Sequence, residues 1–394
     1  MSTAYCTVLA RNYLPKALAL AESLRAAEGA DLHVLLIDAE GPDDVADLAA
    51  HDIPGVVLHG TDSLELGTTE VQRLVMSYEL VEFATAIKPV FFAVLMRDHD
   101  AVVYLDPDTF VLSPMAELGP ALADSASGIL LTPHFLRPPS PEALAGDGHL
   151  LHVGFHNLGF LAIDRRASDF LDWWWGHLRF ECLDDPLGGL FVDQRWTDVG
   201  AFYFDATTWR HPGYNVGVFN LEERELKASG EELYVDGGAL RLFHFHAFDP
   251  ERPEEITTRV DVGDRLNTDD AALAKLSRHY AERVLHWRSV VGEQPGYRYL
   301  TDSLGTRVSR GLRRAYRLES EHTELPSAFA PADRERYRAW RRKARPDRVR
   351  GAVDQAMKAG RAAAPDAALG IQRRFPRLIG AIRGRVGTRG GMWI

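Results

Sequence analysis

The sequence Val102-Val103-Tyr104-Leu105-Asp106-Pro107-Asp108 combines an apolar run with two carboxylates one residue apart. A continuous, β-branched apolar run is typical of a strand that is buried on both faces, as in a parallel sheet. Pro107 has no backbone N–H, so we expect the ladder of hydrogen bonds to stop there. The pattern therefore predicts that Asp106 and Asp108 lie just outside the carboxyl end of a strand, where α/β sheets bind their ligands.

Two interpretations of Asp106 and Asp108 are open at this point. Alternate side chains of an extended segment point the same way, and two convergent carboxylates form a hard oxygen site for Mn²⁺ or Mg²⁺. Asp and Pro also favour surface turns, so the same residues are compatible with a turn that binds nothing. The rest of the chain has to decide between the two.

The composition is that of a globular protein. Of the 394 residues, 46% are hydrophobic and 26% are charged. A membrane span needs about 20 apolar residues, and every apolar run in the sequence is much shorter. The first residues lack the basic region of a signal peptide, and Cys6 and Cys182 are the only cysteines, which favours a cytoplasmic protein. The length fits one large α/β domain with an extension, or two domains.

Charge is distributed unevenly along the chain. Residues 301–394 contain 22 Lys and Arg against 9 Asp and Glu, whereas the first 300 residues contain 23 against 47. The acidic first part argues against nucleic acid as a partner. The basic end is compatible with a solvated tail or helical cap, with contact to an anionic membrane surface, or with a site for an anionic acceptor.

Strand and helix patterns alternate before the Asp-Pro-Asp sequence. Residues 4–10 and 33–38 predict two strands, and an amphipathic helix that begins at Pro15 lies between them. This order is typical of a nucleotide-binding unit, but the chain lacks the G-x-G-x-x-G sequence of dinucleotide-binding proteins, which argues against a nicotinamide dehydrogenase. Residues 68–97 predict a helical region that divides at Lys88-Pro89.

Polar and aromatic residues follow these predicted elements. Asn12 and Tyr13 come directly after the first strand, where an amide can read the edge of a nucleobase and a ring can stack on it. Asp38 ends the second strand and is expected either to contact a ribose or base or to be solvated. Lys88 lies one helix before the Asp-Pro-Asp strand, so it either reaches toward a diphosphate or is a solvated lysine.

The second half of the chain adds further candidates at strand ends. His134 follows a predicted strand, and Asn157 and Gly159 open another. A glycine inside a strand marks the close approach of a ligand or of another backbone. These positions are therefore candidates for contacts to a bound molecule.

Histidines mark the last predicted strand. Residues 240–246 form a strand pattern with His244 and His246 on one face, and Asp193 and Gln194 begin a short helix before it. Imidazole is a good third ligand for Mn²⁺ beside two carboxylates, although two histidines in a core give the same pattern.

In combination, these residues resemble the retaining GT-A glycosyltransferases near glycosyltransferase family 8, which includes glycogenin and bacterial lipo-oligosaccharide galactosyltransferases. The resemblance covers about residues 4–250, and its marks are weak singly but occur in the family's order. They are Thr7-Val8-Leu9-Ala10-Arg11-Asn12-Tyr13, Lys88-Pro89, Tyr104-Leu105-Asp106-Pro107-Asp108, Asn157-Leu158-Gly159-Phe160, Asp193-Gln194, Tyr214-Asn215 and His244-Phe245.

The resemblance implies a metal site. Asp106 and Asp108 correspond to the family's Asp-x-Asp sequence, and His244 corresponds to its distal metal ligand, with Mn²⁺ or Mg²⁺ as the cofactor. The chain departs from the family in one respect: His246 and Ala247 follow, where the family often has a small residue and a glycine. The departure leaves open whether His244 or His246 binds the metal.

The resemblance also implies roles for the other candidates. Asp193 and Gln194 would lie beside the anomeric carbon of the donor sugar as the catalytic residues. The residues implied for nucleotide and donor binding are Ala10, Asn12, Tyr13, Asp38, Lys88, Asp106, Asn157 and Gly159. The residues considered for acceptor or sugar contacts are His134, Tyr214, Asn215 and His246.

The fold that follows is α/β, with a single GT-A domain over residues 1–250 that contains a mixed, mostly parallel sheet. A helical segment over 251–300 and a basic extension over 301–394 come after it. The function is metal-dependent transfer of a sugar, with retention, from a nucleoside diphosphate sugar to a glycan, lipid-linked or small-molecule acceptor. Uridine as the base is implied by the resemblance alone.

Two other functions stay open. A sugar nucleotidyltransferase also uses a metal and a nucleotide on such a sheet, but the chain lacks a glycine- and arginine-rich phosphate loop after the first strand. A non-catalytic carbohydrate-binding protein could use residues 173–175, three adjacent tryptophans, as a sugar platform, although these rings are as compatible with packing. Such a protein would not need the predicted metal ligands.

Overall fold

The computed structural model describes residues 2–49, 53–140, 143, 145–230, 232–259 and 270–344. The strands are β1 (Thr3–Leu9), β2 (Leu32–Leu36), β3 (Val56–His59), β4 (Ala101–Leu105), β5 (Thr109–Val111), β6 (Ile129–Pro133), β7 (His156–Asp164), β8 (Asp184–Asp185), β9 (Leu190–Phe191), β10 (Thr207–Thr208), β11 (Val216–Gly217), β12 (Leu226–Ser229), β13 (Glu232–Val235), β14 (Gly238–Ala239) and β15 (Leu242–His244). The helices are α1 (Leu14–Glu28), α2 (Ala46–Ala49), α3 (Thr68–Ser77), α4 (Leu80–Ala86), α5 (Lys88–Leu95), α6 (Leu118–Asp124), α7 (Asp147–Val153), α8 (Ser168–Glu181), α9 (Gln194–Tyr203), α10 (Asp270–Val291), α11 (Arg310–Ser320) and α12 (Arg334–Lys343).

The largest sheet has seven strands in the order β10-β6-β7-β4-β1-β2-β3. The pairs β1–β2, β2–β3, β1–β4 and β6–β10 are parallel, whereas β7 runs antiparallel to both of its neighbours. The prediction of an α/β fold with a mixed, mostly parallel sheet is confirmed.

Strand β4 shows why this sheet is apolar on both faces. Val102 and Tyr104 pack in the cluster that includes Phe92 of α5, whereas Val103 and Leu105 pack in the cluster on the opposite face of the sheet. Successive side chains of a strand point to opposite faces, and both faces here are covered by helices. The continuous apolar run in the sequence is the consequence.

The strand order also fixes where a ligand can bind. The chain leaves β1 through α1 toward β2 on one side, and β4 adds to the other side of β1. The carboxyl ends of β1 and β4 therefore form a topological switch point, which is where open α/β sheets have their ligand crevice. Asn12 and Tyr13 follow β1, and Asp106 follows β4.

The helical region between β3 and β4 contains one more break than the sequence indicated. The expected boundary before Lys88-Pro89 is present, since only Ile87 separates α4 from α5. A second break lies before α4, where the side chains of Glu79 and Glu82 form a reciprocal capping box. Capping boxes are a strong signal for the start of a helix.

The described part of the basic extension packs against the rest of the protein. Leu312, Tyr316 and Trp340 of α11 and α12 form an apolar cluster with Met76 of α3. Residues 345–394 lie outside the described residues, so contact of this segment with a membrane stays a prediction. Within the described residues, no helix has the length and the apolar character that crossing a membrane requires.

Candidate active site

Two side chains of the turn that follows β4 and one side chain of β15 meet at the switch point. Nε2 of His244 lies 3.2 Å from Oδ1 of Asp108 and 3.7 Å from Oδ2 of Asp106. His246 is close as well, because ligand atoms of Asp108, His244 and His246 lie within 4.8 Å of one another. The acids and histidines that the sequence singled out are thus brought together.

The local sequence explains how this cluster forms. Both the backbone N–H and the hydroxyl of Thr109 donate to the carbonyl of Asp106, at 3.0 and 2.7 Å, and close a turn after β4. Strand β5 then starts at Thr109 and pairs with β15 so that Thr109 lies opposite His244. The Asp-Pro-Asp sequence is therefore a turn, and this turn also points two carboxylates at a histidine.

A hydrogen bond fixes the orientation of the His244 ring. The amide nitrogen of Asn215 donates to Thr132 at 3.0 Å and to the carbonyl of Asn157 at 2.8 Å. Its oxygen, 3.0 Å from Nδ1 of His244, is therefore the acceptor of the Nδ1 hydrogen. A neutral His244 then presents the lone pair of Nε2 to Asp106 and Asp108, which is how a metal-binding histidine is usually held.

The donor set fits a hard divalent cation. Two carboxylates and an imidazole suit Mn²⁺, and carboxylates with water suit Mg²⁺. Burial by itself lowers the pKa of His244, but the carboxylates of Asp108 and Asp106 outweigh it and raise this pKa. Burial, together with His244, lowers the pKa of His246 to about 3, so that ring is neutral. The raised pKa of His244 reflects the negative charge that the two acids concentrate at this point, and a bound cation would neutralise the same charge.

Gly159 is required by this cluster. A Cβ at this position would lie 2.5 Å from Nδ1 of His244 and 2.9 Å from the side-chain oxygen of Asn215. The glycine therefore makes room for the hydrogen bond between these two side chains. The sequence indicated a close approach at Gly159, and the group that approaches is the buried His244 ring.

Ala247, which stands where the resemblance leads us to expect a glycine, has a backbone conformation that favours glycine. Its φ is +54°, in the left-handed region that glycine adopts without strain. Its carbonyl accepts hydrogen bonds from the backbone N–H of Thr258 at 3.0 Å and from the Thr258 hydroxyl at 2.8 Å. The backbone conformation that favours glycine is present here although the glycine is not.

The loop after β1 forms the other side of the switch point. Asn12 is exposed and 38% of Tyr13 is exposed, whereas Ala10 is buried. Asp38 accepts from the N–H of Arg11 at 3.0 and 3.3 Å with its two oxygens and is 5% exposed, so it holds this loop in place. Asn12 and Tyr13 are accessible to a ligand, and the solvated alternative for Asp38 is wrong.

Lys16 belongs to the site although the sequence interpretation missed it. It lies one helical turn after Tyr13, and its Nζ is 4.9 Å from the centre of the Tyr13 ring. Nζ donates to the carbonyl of Phe248 at 3.2 Å, and its charge acts on Asp108. The spacing of three residues after Tyr13, at the start of a helix, is the signal that could have found it.

Lys88 does not reach solvent. Its Nζ lies 2.8 Å from Oδ2 of Asp193, and both side chains are almost fully buried. The ammonium also lies 4.0 Å from the centre of the Tyr104 ring, whose hydroxyl donates to Asp106 at 2.7 Å. Burial lowers the pKa of Lys88, but Asp193 and Asp106 outweigh it and raise the pKa, so the lysine stays charged. The solvated alternative for Lys88 is wrong, and in this conformation its ammonium contacts Asp193 and does not extend to an accessible position for a diphosphate.

Gln194 and Asn157 are placed by backbone contacts. The side-chain nitrogen of Gln194 donates to the carbonyl of Val153 at 3.0 Å, which ties the start of α9 to the end of α7. The side-chain oxygen of Asn157 accepts from the N–H of Gly159 at 3.0 Å. Both side chains are half-buried, so part of each remains accessible.

Two of the residues considered for sugar contacts are inaccessible. Tyr214 is completely buried, and its ring lies 4.3 Å from that of Trp209. Asn215 is 1% exposed because its amide is used to orient His244. A sugar contact through either side chain is therefore excluded in this conformation, and burial is the physical reason.

Four half-buried rings extend from the acid and histidine cluster. Distances between successive ring centres are 5.6 Å from His246 to Phe219, 6.1 Å from Phe219 to His149 and 6.1 Å from His149 to His134. This row of rings, His246-Phe219-His149-His134, includes two of the residues considered for acceptor contacts.

The adjacent tryptophans of α8 serve packing. Trp174 is fully buried, and its ring stacks on that of Phe170 with centres 5.2 Å apart. Trp173 packs on Phe204 at 5.7 Å and on Trp196 at 6.2 Å. A sugar platform of three exposed tryptophans is not formed.

Comparison with known proteins gives distant similarities. No family model matches the chain. The Bacillus subtilis (strain 168) protein YfnF is 28% identical over 284 residues, which is 66% of this chain and 88% of YfnF. Mouse xyloside xylosyltransferase 1 has a TM-score of 0.39 at 13% identity, over 62% of this chain and 97% of its own. The galactosyltransferase LgtC, in complex with donor and acceptor sugar analogs, has a TM-score of 0.41 at 16% identity, over 74% of this chain and all of its own. These values do not identify the function, which has to be argued from the site.

Proposed function

We propose that the protein is a metal-dependent glycosyltransferase that moves a sugar from a nucleoside diphosphate sugar to an acceptor with retention of anomeric configuration. The observation that carries the proposal is the convergence of Asp106, Asp108 and His244 at the switch point of the sheet. A nucleotide binds through its base and its diphosphate. The accessible amide of Asn12 and ring of Tyr13 can contact the base, and the metal site beside them can hold the diphosphate.

The diphosphate would bind at the acid and histidine cluster. Asp106, Asp108 and His244 would hold Mn²⁺ or Mg²⁺, with His246 as the neighbouring alternative ligand. When bound, such an ion neutralises the charge that grows on the leaving diphosphate. Lys16 supports this placement, because it adds a positive charge next to Asp108. Among the described residues, its ammonium donates one hydrogen bond, to the carbonyl of Phe248, and lies over the Tyr13 ring.

The sugar would lie toward Asp193 and Gln194. An oxocarbenium-like centre is stabilised by a nearby carboxylate or amide dipole. The half-buried Gln194 can supply the dipole by direct contact, whereas Asp193 is buried and would act through its charge. The ion pair with Lys88 lowers the availability of the Asp193 lone pairs for covalent attack. We therefore favour a front-face substitution, in which Asp193 and Gln194 stabilise developing positive charge, over a covalent intermediate.

The acceptor would bind along the row of rings His246-Phe219-His149-His134. The phenyl ring of Phe219 offers an apolar face, and the imidazole nitrogens of the three histidines can form hydrogen bonds with hydroxyl groups. Burial lowers the pKa of His134 to about 4, so this part of the row carries no charge at neutral pH. These properties suit a glycan or another hydroxyl-bearing acceptor, and uridine as the base of the donor remains implied by the resemblance alone.

The experiment that tests the proposal is a screen of nucleoside diphosphate sugars for hydrolysis or transfer in the presence of Mn²⁺. We expect one donor to be consumed with release of a nucleoside diphosphate, and we expect EDTA to stop the reaction. Formation of pyrophosphate from a nucleoside triphosphate and a sugar phosphate would instead identify a nucleotidyltransferase. Turnover that continues unchanged in EDTA would contradict the proposed metal dependence.

A further inference from the structure

Two of the four arginines of α11, Arg313 and Arg317, are buried in the protein, and Arg310 and Arg314 are half-buried. Arg313 is 2% exposed, and its guanidinium donates to the carbonyls of Val75 at 2.6 Å, Tyr78 at 2.9 Å and Tyr299 at 2.6 Å. These carbonyls belong to α3, to the break before α4 and to the chain before α11. Helix α11 is therefore fixed against the start of α4 by directed hydrogen bonds.

The neighbouring Arg314 neutralises a carboxylate that has no access to solvent. Glu82 of α4 is completely buried, and both of its oxygens contact the Arg314 guanidinium, with Nη1 to Oε2 at 3.0 Å. Burial by itself raises the pKa of Glu82, but Arg314 outweighs it and lowers this pKa. The carboxylate is ionised at neutral pH because Arg314 is beside it.

Glu82 uses its charge to hold a second segment. Its Oε1 accepts from the backbone N–H of Asp184 at 2.8 Å, and the guanidinium of Arg310 donates to the carbonyl of the same Asp184. Asp184 begins the hairpin β8–β9, in which it lies opposite Phe191. Helices α4 and α11 therefore fix the beginning of this hairpin through the backbone N–H and the carbonyl of Asp184.

The end of the same hairpin leads into the proposed catalytic residues. The N–H of Val192 donates to the carbonyl of Leu183 at 2.9 Å, and Val192 has a φ of +39°. Asp193 follows and is held by Lys88. Only Val192, in this strained conformation, separates the hairpin from Asp193. We therefore expect a displacement of the hairpin to move Asp193 and Gln194 as well.

Glu82 and Lys88 lie on two helices that only Ile87 separates. One of them holds the beginning of the hairpin and the other holds the residue after its end. We propose that Arg314 is a positioning residue for sugar transfer: by pairing with both oxygens of Glu82, it fixes the hairpin 184–191 and thereby Asp193 and Gln194. This inference rests on the proposed function and makes α11 part of the catalytic unit.

The physical consequence of losing Arg314 is specific. A buried Glu82 without its counterion takes up a proton or draws in water, and Asp184 loses a charged acceptor for its N–H. Among the described residues, no hydrogen bond or ion pair joins Arg314 or Glu82 to Asp106, Asp108 or His244. The link between the two regions runs through Lys88 and Tyr104, so metal binding should change much less than turnover. Misplacement of a catalytic group by about 1 Å can lower turnover on the order of 100-fold.

The test compares Arg314→Met, Arg314→Lys and the matched control Arg338→Met in the full-length chain. Arg338 lies on α12 in an exposed pair with Glu335, so its removal touches no part of the hairpin. We expect Arg314→Met to lower kcat by about 10- to 100-fold with the donor KM within about threefold, a loss confined to the transition state. Arg314→Lys should restore part of kcat, and Arg338→Met should match the wild type.

Hydrogen–deuterium exchange supplies a readout that does not depend on activity. Arg314→Met should increase exchange in residues 182–193 while leaving β4 and β15 unchanged. If Arg314→Met does not fold, Arg314→Lys and Glu82→Gln take its place with the same readouts. An unchanged kcat at temperatures well below the unfolding transition, or unchanged exchange in 182–193, overturns the proposal. A wild-type protein without transferase activity whose exchange responds as expected would overturn the proposed function and leave the fixing of the hairpin by Arg314 supported.

Discussion

Two regions of the described structure, the surroundings of α11 and the switch point of the sheet, differ in how the charge of their carboxylates is compensated. Around α11, Glu82 is paired with Arg314, and Arg313 is bonded to three carbonyls. At the switch point, His244 is the described residue within ion-pair distance of Asp106 and Asp108. It carries a positive charge only when its imidazole is protonated. A carboxylate paired in full with a guanidinium fixes the fold, whereas the excess of negative charge at the switch point marks the place for a cationic ligand.

The largest expected effect separates the two regions by activity. Replacing Asp108 by Asn should lower donor turnover by about 10²- to 10³-fold, the loss seen when one electrostatic group is removed from a preorganised site. The free energy of unfolding should fall by clearly less than the about 3–5 kcal/mol of a broken buried ion pair, because the half-buried carboxylate faces His244 and Lys16 and has no guanidinium paired with it. Initial rates and chemical denaturation measure the two quantities.

The matched control for this substitution is Asp98→Asn, which changes an exposed carboxylate outside the site. It should leave both turnover and stability unchanged. A strongly destabilised Asp108→Asn protein would mean that Asp108 serves the fold, and the contrast between the regions would then be lost.

The next effect concerns stability. A chain that ends at Leu300 lacks Arg313, Arg314 and the apolar residues of α11, and it leaves Glu82 buried without a counterion. Breaking a buried ion pair on one side costs about 3–5 kcal/mol. We expect the truncated protein to unfold at a clearly lower denaturant concentration or to be insoluble, as chemical denaturation and solubility assays will show. A truncated protein as stable as the full chain would show that α11 is dispensable for the fold.

A smaller effect is expected at the residue that links scaffold and site. Replacing Asn215 by Ala removes the acceptor of the His244 Nδ1 hydrogen. Loss of a residue that orients a metal ligand typically lowers metal affinity by about 10- to 100-fold. Titration with Mn²⁺ measures the change, and an affinity equal to that of the wild type would show that His244 is oriented by other contacts.

The smallest effect is expected at Ala247. A residue with a side chain at φ +54° is strained by about 1–2 kcal/mol, and glycine loses about 0.5–1 kcal/mol more chain entropy on folding. Ala247→Gly should therefore stabilise the protein by about 0.5 kcal/mol, measured by chemical denaturation, with turnover retained. A destabilised Ala247→Gly protein would argue that the Cβ packs usefully in this turn.

Much of the fold could be predicted because its signals are local. The apolar run over 102–105 and the break at Pro107 define the end of β4, and the alternation over 240–246 places His244 and His246 on one face. The pairing of β15 with β5, which brings His244 opposite Thr109, depends on register between distant segments. The sequence therefore predicts the residues of the cluster better than the distances within it.

The buried ion pairs could not be predicted in this way. Glu82 and Arg314 are 232 residues apart, and Lys88 finds Asp193 only when α5 and the hairpin 184–191 pack together. A charged residue on a helix is normally solvated, and nothing in its local sequence names a buried partner. The same limit applies to Tyr214 and Asn215, whose positions in the sequence resembled those of ligand contacts and whose burial follows from tertiary packing.

The central claim is that Asp106, Asp108 and His244 bind a divalent cation together with a nucleoside diphosphate. Titration of the full-length protein with Mn²⁺, followed by electron paramagnetic resonance in the presence of uridine diphosphate, tests it without reference to any acceptor. The account predicts one site that Asp108→Asn weakens strongly and Asp98→Asn does not. Binding of the same strength to the wild type and to Asp108→Asn would contradict it.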